Sequence, residues 1–263
     1  MSTPSVTETP APRILVCGHS HCGALHLGRN VLLRRNRKID YDFIGLAPGG
    51  HLPQAQDYWA RIVERAPGAH VVLVWNGNEH NARFMLEPKP PIRIAVDDGS
   101  DPDPGDTGVY VPAEAVRELF RDTMEDMSAR IGSILRAGPA SLICTDPPPP
   151  MPDGEALRSR ILQEQHFVDA AARRGVDAAT IPITAFGVRR ALRGIIGDLR
   201  RETCAALGVT LVPAPAAAQD QAGALLPEYW TEDATHANAA YGELLWKSVL
   251  ALADPGMTGT QTP

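Results

Sequence analysis

Short apolar runs recur along the chain and alternate with longer stretches whose apolar residues have helical spacing. The runs cover residues 13–17, 41–46, 70–75, 140–145 and 209–212. Runs of this length between turn residues are typical of strands buried in a sheet. The helical patterns cover residues 24–32, 54–66, 112–136, 154–174, 185–207 and 239–253. This alternation predicts an α/β fold, in which helices cover both faces of a parallel sheet.

The same pattern predicts one domain over residues 13–253, without internal repeats. Residues 87–111 interrupt the alternation, because they are rich in Pro, Asp and Gly and hold one strand-like patch at 92–96. We expect an inserted loop or hairpin there. Residues 1–12 are rich in Ser, Thr and Pro and lack the apolar stretch of a signal peptide, which predicts a disordered leader. Residues 254–263 are predicted to be a disordered tail.

Composition and charge narrow the functional classes. The chain has 263 residues, of which 44% are hydrophobic, enough to build a core without stabilising disulfides or metal ions. The net charge is −6, and no basic stripe is available to neutralise phosphates, so we expect no nucleic-acid partner. No stretch approaches the roughly 18 apolar residues of a membrane span. We therefore predict a cytoplasmic protein.

The cysteines do not form a disulfide framework. The four of them, Cys17, Cys22, Cys144 and Cys204, are scattered along a chain that is long for a disulfide scaffold. Cys17 and Cys144 end apolar runs, which is typical of buried cysteines that pack as small hydrophobic residues.

Polar blocks follow three of the predicted strands. Ser20 lies in Gly18-His19-Ser20-His21 after the first strand, Gly49 and Gly50 follow the second, and Asn78 follows the third. In a parallel sheet the carboxyl ends of the strands share one edge, and ligands bind there. We therefore expect these residues to converge at that edge.

A fourth block precedes the last predicted helix. Asp233 lies three residues before His236, a spacing that lets the carboxylate reach the ring and fix its tautomer. The other ring nitrogen is then available to Ser20. The Asn78 amide and the backbone N–H groups of Ser20 and of a glycine after the second strand are candidate donors to an oxyanion.

Each block also has a purely structural explanation. Ser20 is suited to cap the first helix, Asp233 to cap the last one, and residues 76–78 to form a turn. Only their combination supplies the groups for acyl transfer by a serine nucleophile.

Taken together, the blocks resemble those of the SGNH (GDSL-type) hydrolase superfamily. That family has Gly-Asp-Ser after its first strand, a glycine after the second, Gly-x-Asn-Asp after the third, and Asp-x-x-His before its last helix. The resemblance extends from about residue 13 to 253. It implies a flavodoxin-like three-layer α/β/α sandwich with a central parallel sheet of about five strands. It also implies a hydrolase that needs no cofactor and acts on an ester or another acylated small molecule.

The resemblance also implies a role for each site residue. Ser20 is the nucleophile, His236 the base and Asp233 the residue that orients it. The oxyanion donors are the Ser20 N–H, the N–H of Gly49 or Gly50, and the Asn78 side chain. This chain departs from the family pattern at four positions: His19 replaces aspartate, His21 replaces leucine, Asn76 replaces glycine and Glu79 replaces aspartate.

Two other functions remain open at the level of sequence. One is an SGNH-like module that binds a ligand without turning it over. The other is a metal-dependent hydrolase that uses a cluster of histidines and cysteines, namely Cys17, His19, His21, Cys22, His26 and His80. The metal site is disfavoured because strand alternation directs Cys17 into the core, so the cluster does not converge on one ion. We therefore predict no metal ligands. The pattern does not select a substrate or an oligomeric state.

Overall fold

A computed structural model of the protein describes residues 12–33, 39–45, 55–75, 79–95 and 108–253. The predicted tail and all but the last residue of the predicted leader lie outside these residues. So do three of the predicted oxyanion donors, Gly49, Gly50 and Asn78.

Within the described residues the elements alternate as the hydrophobic pattern predicts. The strands are β1 (Arg13–Gly18), β2 (Asp40–Ile44), β3 (His70–Val74), β4 (Ile92–Ala95), β5 (Val109–Pro112), β6 (Ser141–Thr145) and β7 (Thr210–Val212). The helices are α1 (Cys22–Leu27), α2 (Asn30–Leu33), α3 (Ala55–Arg65), α4 (Glu79–Phe84), α5 (Ala113–Leu119), α6 (Arg121–Arg136), α7 (Glu155–Gln163), α8 (Gln165–Arg173), α9 (Phe186–Ala206) and α10 (Ala239–Ala253). Two short 3₁₀ helices cover Ala216–Ala218 and Pro227–Tyr229.

Five strands form one parallel sheet in the order β2-β1-β3-β6-β7. The predicted fold class is therefore confirmed. The chain leaves β1 for β2 on one side and then crosses to β3 on the other side, where Gly18 is paired with Val74. This reversal is the point of a doubly wound sheet at which a crevice opens beyond the strand ends. Ser20 follows β1 at this point.

Two hydrophobic layers cover the sheet and complete the sandwich. On one face Ile14 of β1 packs in a cluster with Trp246 of α10, and α1 belongs to the same layer. On the other face Leu15 packs in a cluster with Ile62 of α3 and Met127 of α6. Because neighbouring residues of a strand point to opposite faces, a continuous apolar run such as that of β1 fills both layers. All five of these side chains are fully buried.

Two helices that were predicted to be continuous are each broken once. Residues 112–136 form α5 and α6, which meet at Phe120 (φ −102°, ψ 6°). Residues 154–174 form α7 and α8, which meet at the extended residue Glu164 (φ −96°, ψ 103°). Neither break contains Gly or Pro, so the sequence carries no stop signal. Phe120 is 1% exposed and packs in a cluster with Leu192 of α9, so tertiary packing sets the first break.

The segment expected to hold an inserted loop or hairpin contributes β4 and β5. These strands pair in parallel, with Ile92 opposite Val109, whereas the arms of a hairpin are antiparallel. Residues 96–107 between them lie outside the described residues. Ile92 and Ile94 pack against a small cluster that includes Leu192, so the insertion is attached to α9.

No helix in the described part of the chain is both long and apolar enough to cross a bilayer.

Candidate active site

The end of β1 holds the loop that carries Ser20. Gly18 has φ +124°, and a Cβ there would lie 2.1 Å from the Val74 carbonyl oxygen, so only glycine fits. The His19 N–H donates to that oxygen at 2.8 Å and extends the pairing with β3 beyond the strand.

Tyr58 of α3 fixes the same turn from the other side. Its hydroxyl oxygen accepts the Gly18 N–H at 2.9 Å. The hydroxyl proton faces the carbonyl oxygens of Gly18 at 2.5 Å and of Ile44 at 2.9 Å. The ends of β1 and β2 are thereby tied together. Ser20 is left exposed, two residues before α1 begins at Cys22.

The structure brings Ser20, His236 and Asp233 into one hydrogen-bonded chain. His236 Nε2 lies 2.8 Å from Ser20 Oγ, and His236 Nδ1 lies 3.0 Å from Asp233 Oδ2. The other Asp233 oxygen, Oδ1, accepts the backbone N–H groups of Thr235 at 2.9 Å and His236 at 2.7 Å. An ionised carboxylate is an acceptor only, so Nδ1 carries the proton and Nε2 presents its lone pair to the serine hydroxyl.

The charge on Asp233 is stable at neutral pH. Burial by itself raises the pKa of this carboxyl, but the hydrogen bonds from His236 and the electrostatic interaction with its ring outweigh burial and hold the pKa below its usual value. The carboxylate therefore keeps the histidine in one tautomer.

The loop before α10 is not part of a helix. Trp230 and Ala237 form an antiparallel bridge across it. Asn238 caps α10, because its side-chain oxygen accepts the N–H of Ala240 at 2.9 Å and of Tyr241 at 3.3 Å. The cap role that the sequence also allowed for Asp233 thus belongs to Asn238. Asp233 instead orders its own loop and His236.

His21 is a buried neighbour of His236. It is 5% exposed, and the two ring centroids are 4.5 Å apart. Neither ring nitrogen of His21 has a hydrogen-bond partner in the structure as described. Burial, and then the electrostatic interaction with the neighbouring His236 ring, lower the pKa of His21 well below its ordinary value. Its ring is therefore neutral at pH 7.

His19 is the other histidine that departs from the family pattern. Its ring contacts Trp75 edge-on, with centroids 4.9 Å apart. Burial lowers its pKa to about 4. Neither flanking histidine therefore adds a positive charge beside Ser20 at neutral pH.

Replacing His21 with leucine is expected to flatten the pH dependence of stability. Below about pH 6.5 the unfolded chain binds a proton that the folded, buried ring does not, so the free energy of unfolding falls by about 1.4 kcal/mol per pH unit. His21→Leu removes this loss, so the free energy of unfolding of the variant is expected to fall less between pH 7 and pH 5 than that of wild type. Urea unfolding at pH 7 and pH 5 measures it. The exposed-ring variant His166→Gln is the control, and equal slopes in all three proteins would contradict the prediction.

One predicted oxyanion donor lies within the described residues. The Ser20 N–H lies beside the α1 entrance and is bonded to no acceptor in the described part of the chain. It is therefore available to a negatively charged oxygen. The other three candidates, Gly49, Gly50 and Asn78, are outside the described residues, and their place in the site remains a prediction.

The cysteines near Ser20 are core residues. Burial raises the pKa of the Cys17 thiol, and it raises the pKa of Cys22 to about 12. All four cysteines are buried and free. In the described ranges, no three His, Cys, Asp or Glu side chains are grouped so that they could hold a metal ion.

Comparison with known proteins finds similarity only to solved structures. No family model matches the chain, and no curated protein matches it. A GDSL-like lipase from Bacteroides thetaiotaomicron is 12% identical, with a TM-score of 0.46, and the match covers 90% of this chain and 87% of the lipase. A putative acylhydrolase from Bacteroides fragilis is 12% identical, with a TM-score of 0.46 and coverage of 94% and 93%. An α/β hydrolase from a Lake Arreo metagenome is 14% identical, with a TM-score of 0.48 and coverage of 96% and 99%. With TM-scores below 0.5, these structures add nothing about the chemistry of this chain.

Proposed function

We propose that the protein is a serine hydrolase that cleaves an ester or another acyl bond. One observation supports this proposal above the others: the hydrogen-bonded chain from Asp233 through His236 to Ser20, with Nε2 2.8 Å from Oγ. This is the distance at which a general base takes a proton from a hydroxyl group.

In the proposed reaction His236 takes the Ser20 proton as Oγ attacks the carbonyl carbon of the substrate. The carbonyl oxygen becomes an oxyanion, which the Ser20 N–H receives, together with the Asn78 amide and the N–H of Gly49 or Gly50. His236 then protonates the leaving group. Water, deprotonated by the same ring, then attacks the acyl-enzyme. The bond from the acyl carbon to Ser20 Oγ breaks, His236 returns the proton to Oγ, and the acid is released.

Asp233 has two functions in this mechanism. Its carboxylate holds the proton on Nδ1, and it stabilises the imidazolium that forms when His236 takes the serine proton. The two backbone N–H groups bound to Oδ1 keep the carboxylate oriented towards the ring. No metal or cofactor takes part in this proposal.

Labelling with a fluorophosphonate tests the proposal directly. We expect one covalent adduct per chain, located on Ser20 by peptide mass analysis, and parallel hydrolysis of p-nitrophenyl acetate that stops when labelling is complete. Heat-denatured protein, in which the triad of Ser20, His236 and Asp233 is dispersed, is the control and is expected to remain unlabelled. An adduct on a different residue would overturn the assignment of Ser20. A folded protein that neither labels nor hydrolyses the ester would favour the binding module.

A further inference from the structure

The junction between α7 and α8 lies beside the loop that carries Asp233 and His236. Glu164 forms this junction, and both helices fix its backbone. Its N–H donates to the Ile161 carbonyl at 3.2 Å, and its own carbonyl accepts the Phe167 N–H at 2.9 Å. The place of the Glu164 side chain is therefore set by two helices rather than by a free loop.

The Glu164 carboxylate contacts the centre of the loop that carries Asp233 and His236. Oε1 accepts the N–H of Ala234 at 2.8 Å. Ala234 directly follows Asp233 and is 3% exposed. The Glu164 side chain is itself 16% exposed, so water has little access to compete for this bond. A buried N–H in this position needs an acceptor, and Glu164 supplies it.

Arg160 holds the same loop one helical turn earlier on α7. Its Nε donates to the Thr231 carbonyl at 2.8 Å, and its guanidinium lies 5.1 Å from the centre of the Trp230 ring. Arg160 on α7 and Glu164 just beyond its end therefore bind the loop at two points, one before Asp233 and one between Asp233 and His236.

The contacts of Arg160 and Glu164 matter because the residues from Thr231 to His236 belong to no helix or strand that would hold them in place. For efficient catalysis the base and the nucleophile must each be held within about 0.5 Å of the productive geometry. We propose that Glu164 is a positioning residue, which acts through the Ala234 N–H to hold Asp233 and His236 in line with Ser20. This inference rests on the proposed function, and it goes beyond the triad because Glu164 touches none of its side chains in a hydrogen bond.

Two substitutions distinguish the effect of the hydrogen-bond acceptor at Glu164 from the effect of its negative charge. Glu164→Gln keeps an oxygen that can accept the Ala234 N–H, whereas Glu164→Ala removes it. We expect Glu164→Ala to lower kcat for p-nitrophenyl acetate by about 10- to 100-fold, with little change in KM, because a misplaced base slows chemistry rather than binding. Glu164→Gln is expected to keep most of kcat. Gln163→Ala, an exposed change on the same turn, is the matched control.

Three kinetic results would overturn the inference. One is a Glu164→Ala protein with the kcat of Gln163→Ala, and another is a Glu164→Ala protein that changes KM alone. The third is Glu164→Gln falling as far as Glu164→Ala, which would assign the effect to charge. If Glu164→Ala does not fold, Glu164→Met removes the carboxylate while keeping the side-chain volume, and the same comparison applies.

Amide exchange tests the hydrogen bond between Glu164 and the Ala234 N–H independently of turnover. We expect the Ala234 N–H to exchange with solvent at least about tenfold faster in Glu164→Ala, and to stay protected in Glu164→Gln and Gln163→Ala. Unchanged protection in Glu164→Ala overturns the inference even if the wild type hydrolyses nothing. Conversely, Ser20 labelling by a fluorophosphonate together with an unaffected Glu164→Ala enzyme would leave the proposed function standing and remove only the role of Glu164.

Discussion

Replacing Ser20 with alanine is expected to abolish ester turnover while the fold remains intact. Ser20 Oγ is the atom that forms the new bond, so its loss removes the covalent path rather than weakening it. Knocking out the nucleophile of such a triad lowers kcat by on the order of 10⁴- to 10⁶-fold. Because Ser20 is exposed and its side chain bonds to His236 rather than to the core, we expect a change in stability within about 0.5 kcal/mol.

The measurement is steady-state hydrolysis of p-nitrophenyl acetate by wild type and Ser20→Ala, with thermal unfolding of both. Ser159→Ala is the matched control, because Ser159 is an exposed serine on α7. Turnover by Ser20→Ala equal to that of Ser159→Ala would show that hydrolysis does not use Ser20. A Ser20→Ala protein that melts much earlier than wild type would show that the serine instead serves the turn.

The sequence predicted the sheet and the meeting of Ser20 with His236 because both leave local marks. Buried parallel strands are continuous apolar runs, and the five predicted runs lie within about two residues of the observed strand ends. The contact between Ser20 and His236 joins residues 216 positions apart. It was nevertheless predictable, since each residue lies at a strand or helix boundary that topology brings to one edge of the sheet.

The features that sequence analysis missed depend on contacts between distant segments. Glu164 accepts the N–H of a residue 70 positions away, and nothing around it marks a helix end. Asn238 was not singled out as a cap, because Asp233 is an equally good capping residue on sequence grounds. The parallel pairing of β4 and β5 is likewise set by packing against α9. Only the folded structure decides among such alternatives.

A close interface joins α1, the helix that follows Ser20, to α10, the helix that follows His236. A Cβ at Gly242 of α10 would lie 1.9 Å from the Ala24 carbonyl oxygen of α1, and a Cβ at Gly28 would lie 2.6 Å from the Glu243 nitrogen. The Trp246 ring N–H donates to the Leu25 carbonyl at 2.8 Å in the same interface. The two helix backbones therefore touch directly, and we expect this interface to set the distance between Ser20 and His236.

Gly242→Ala is expected to lower both stability and activity. The added methyl overlaps backbone, which cannot rotate away as a side chain can, and overpacking of a core costs about 1–3 kcal/mol. Alanine gains about 1 kcal/mol in helix propensity, so a clash at the upper end leaves a net loss of about 2 kcal/mol. We expect Tm to fall by roughly 4–8 °C. As α1 moves away from α10, Ser20 withdraws from His236, and kcat is expected to fall by about 100-fold for each ångström.

Gly194→Ala is the matched control, because it makes the same change inside α9 where the added methyl meets nothing within 4 Å. Helix propensity then acts alone, so we expect a gain of about 0.5–1 kcal/mol and a rise in Tm of roughly 1–4 °C, with unchanged kcat. The two substitutions therefore shift Tm in opposite directions, although their chemistry is identical. A Gly242→Ala protein that melts above wild type with full activity would show that α1 and α10 do not set the separation of Ser20 and His236. A Gly242→Ala protein that loses stability but keeps kcat would show that the interface supports the fold without positioning the triad.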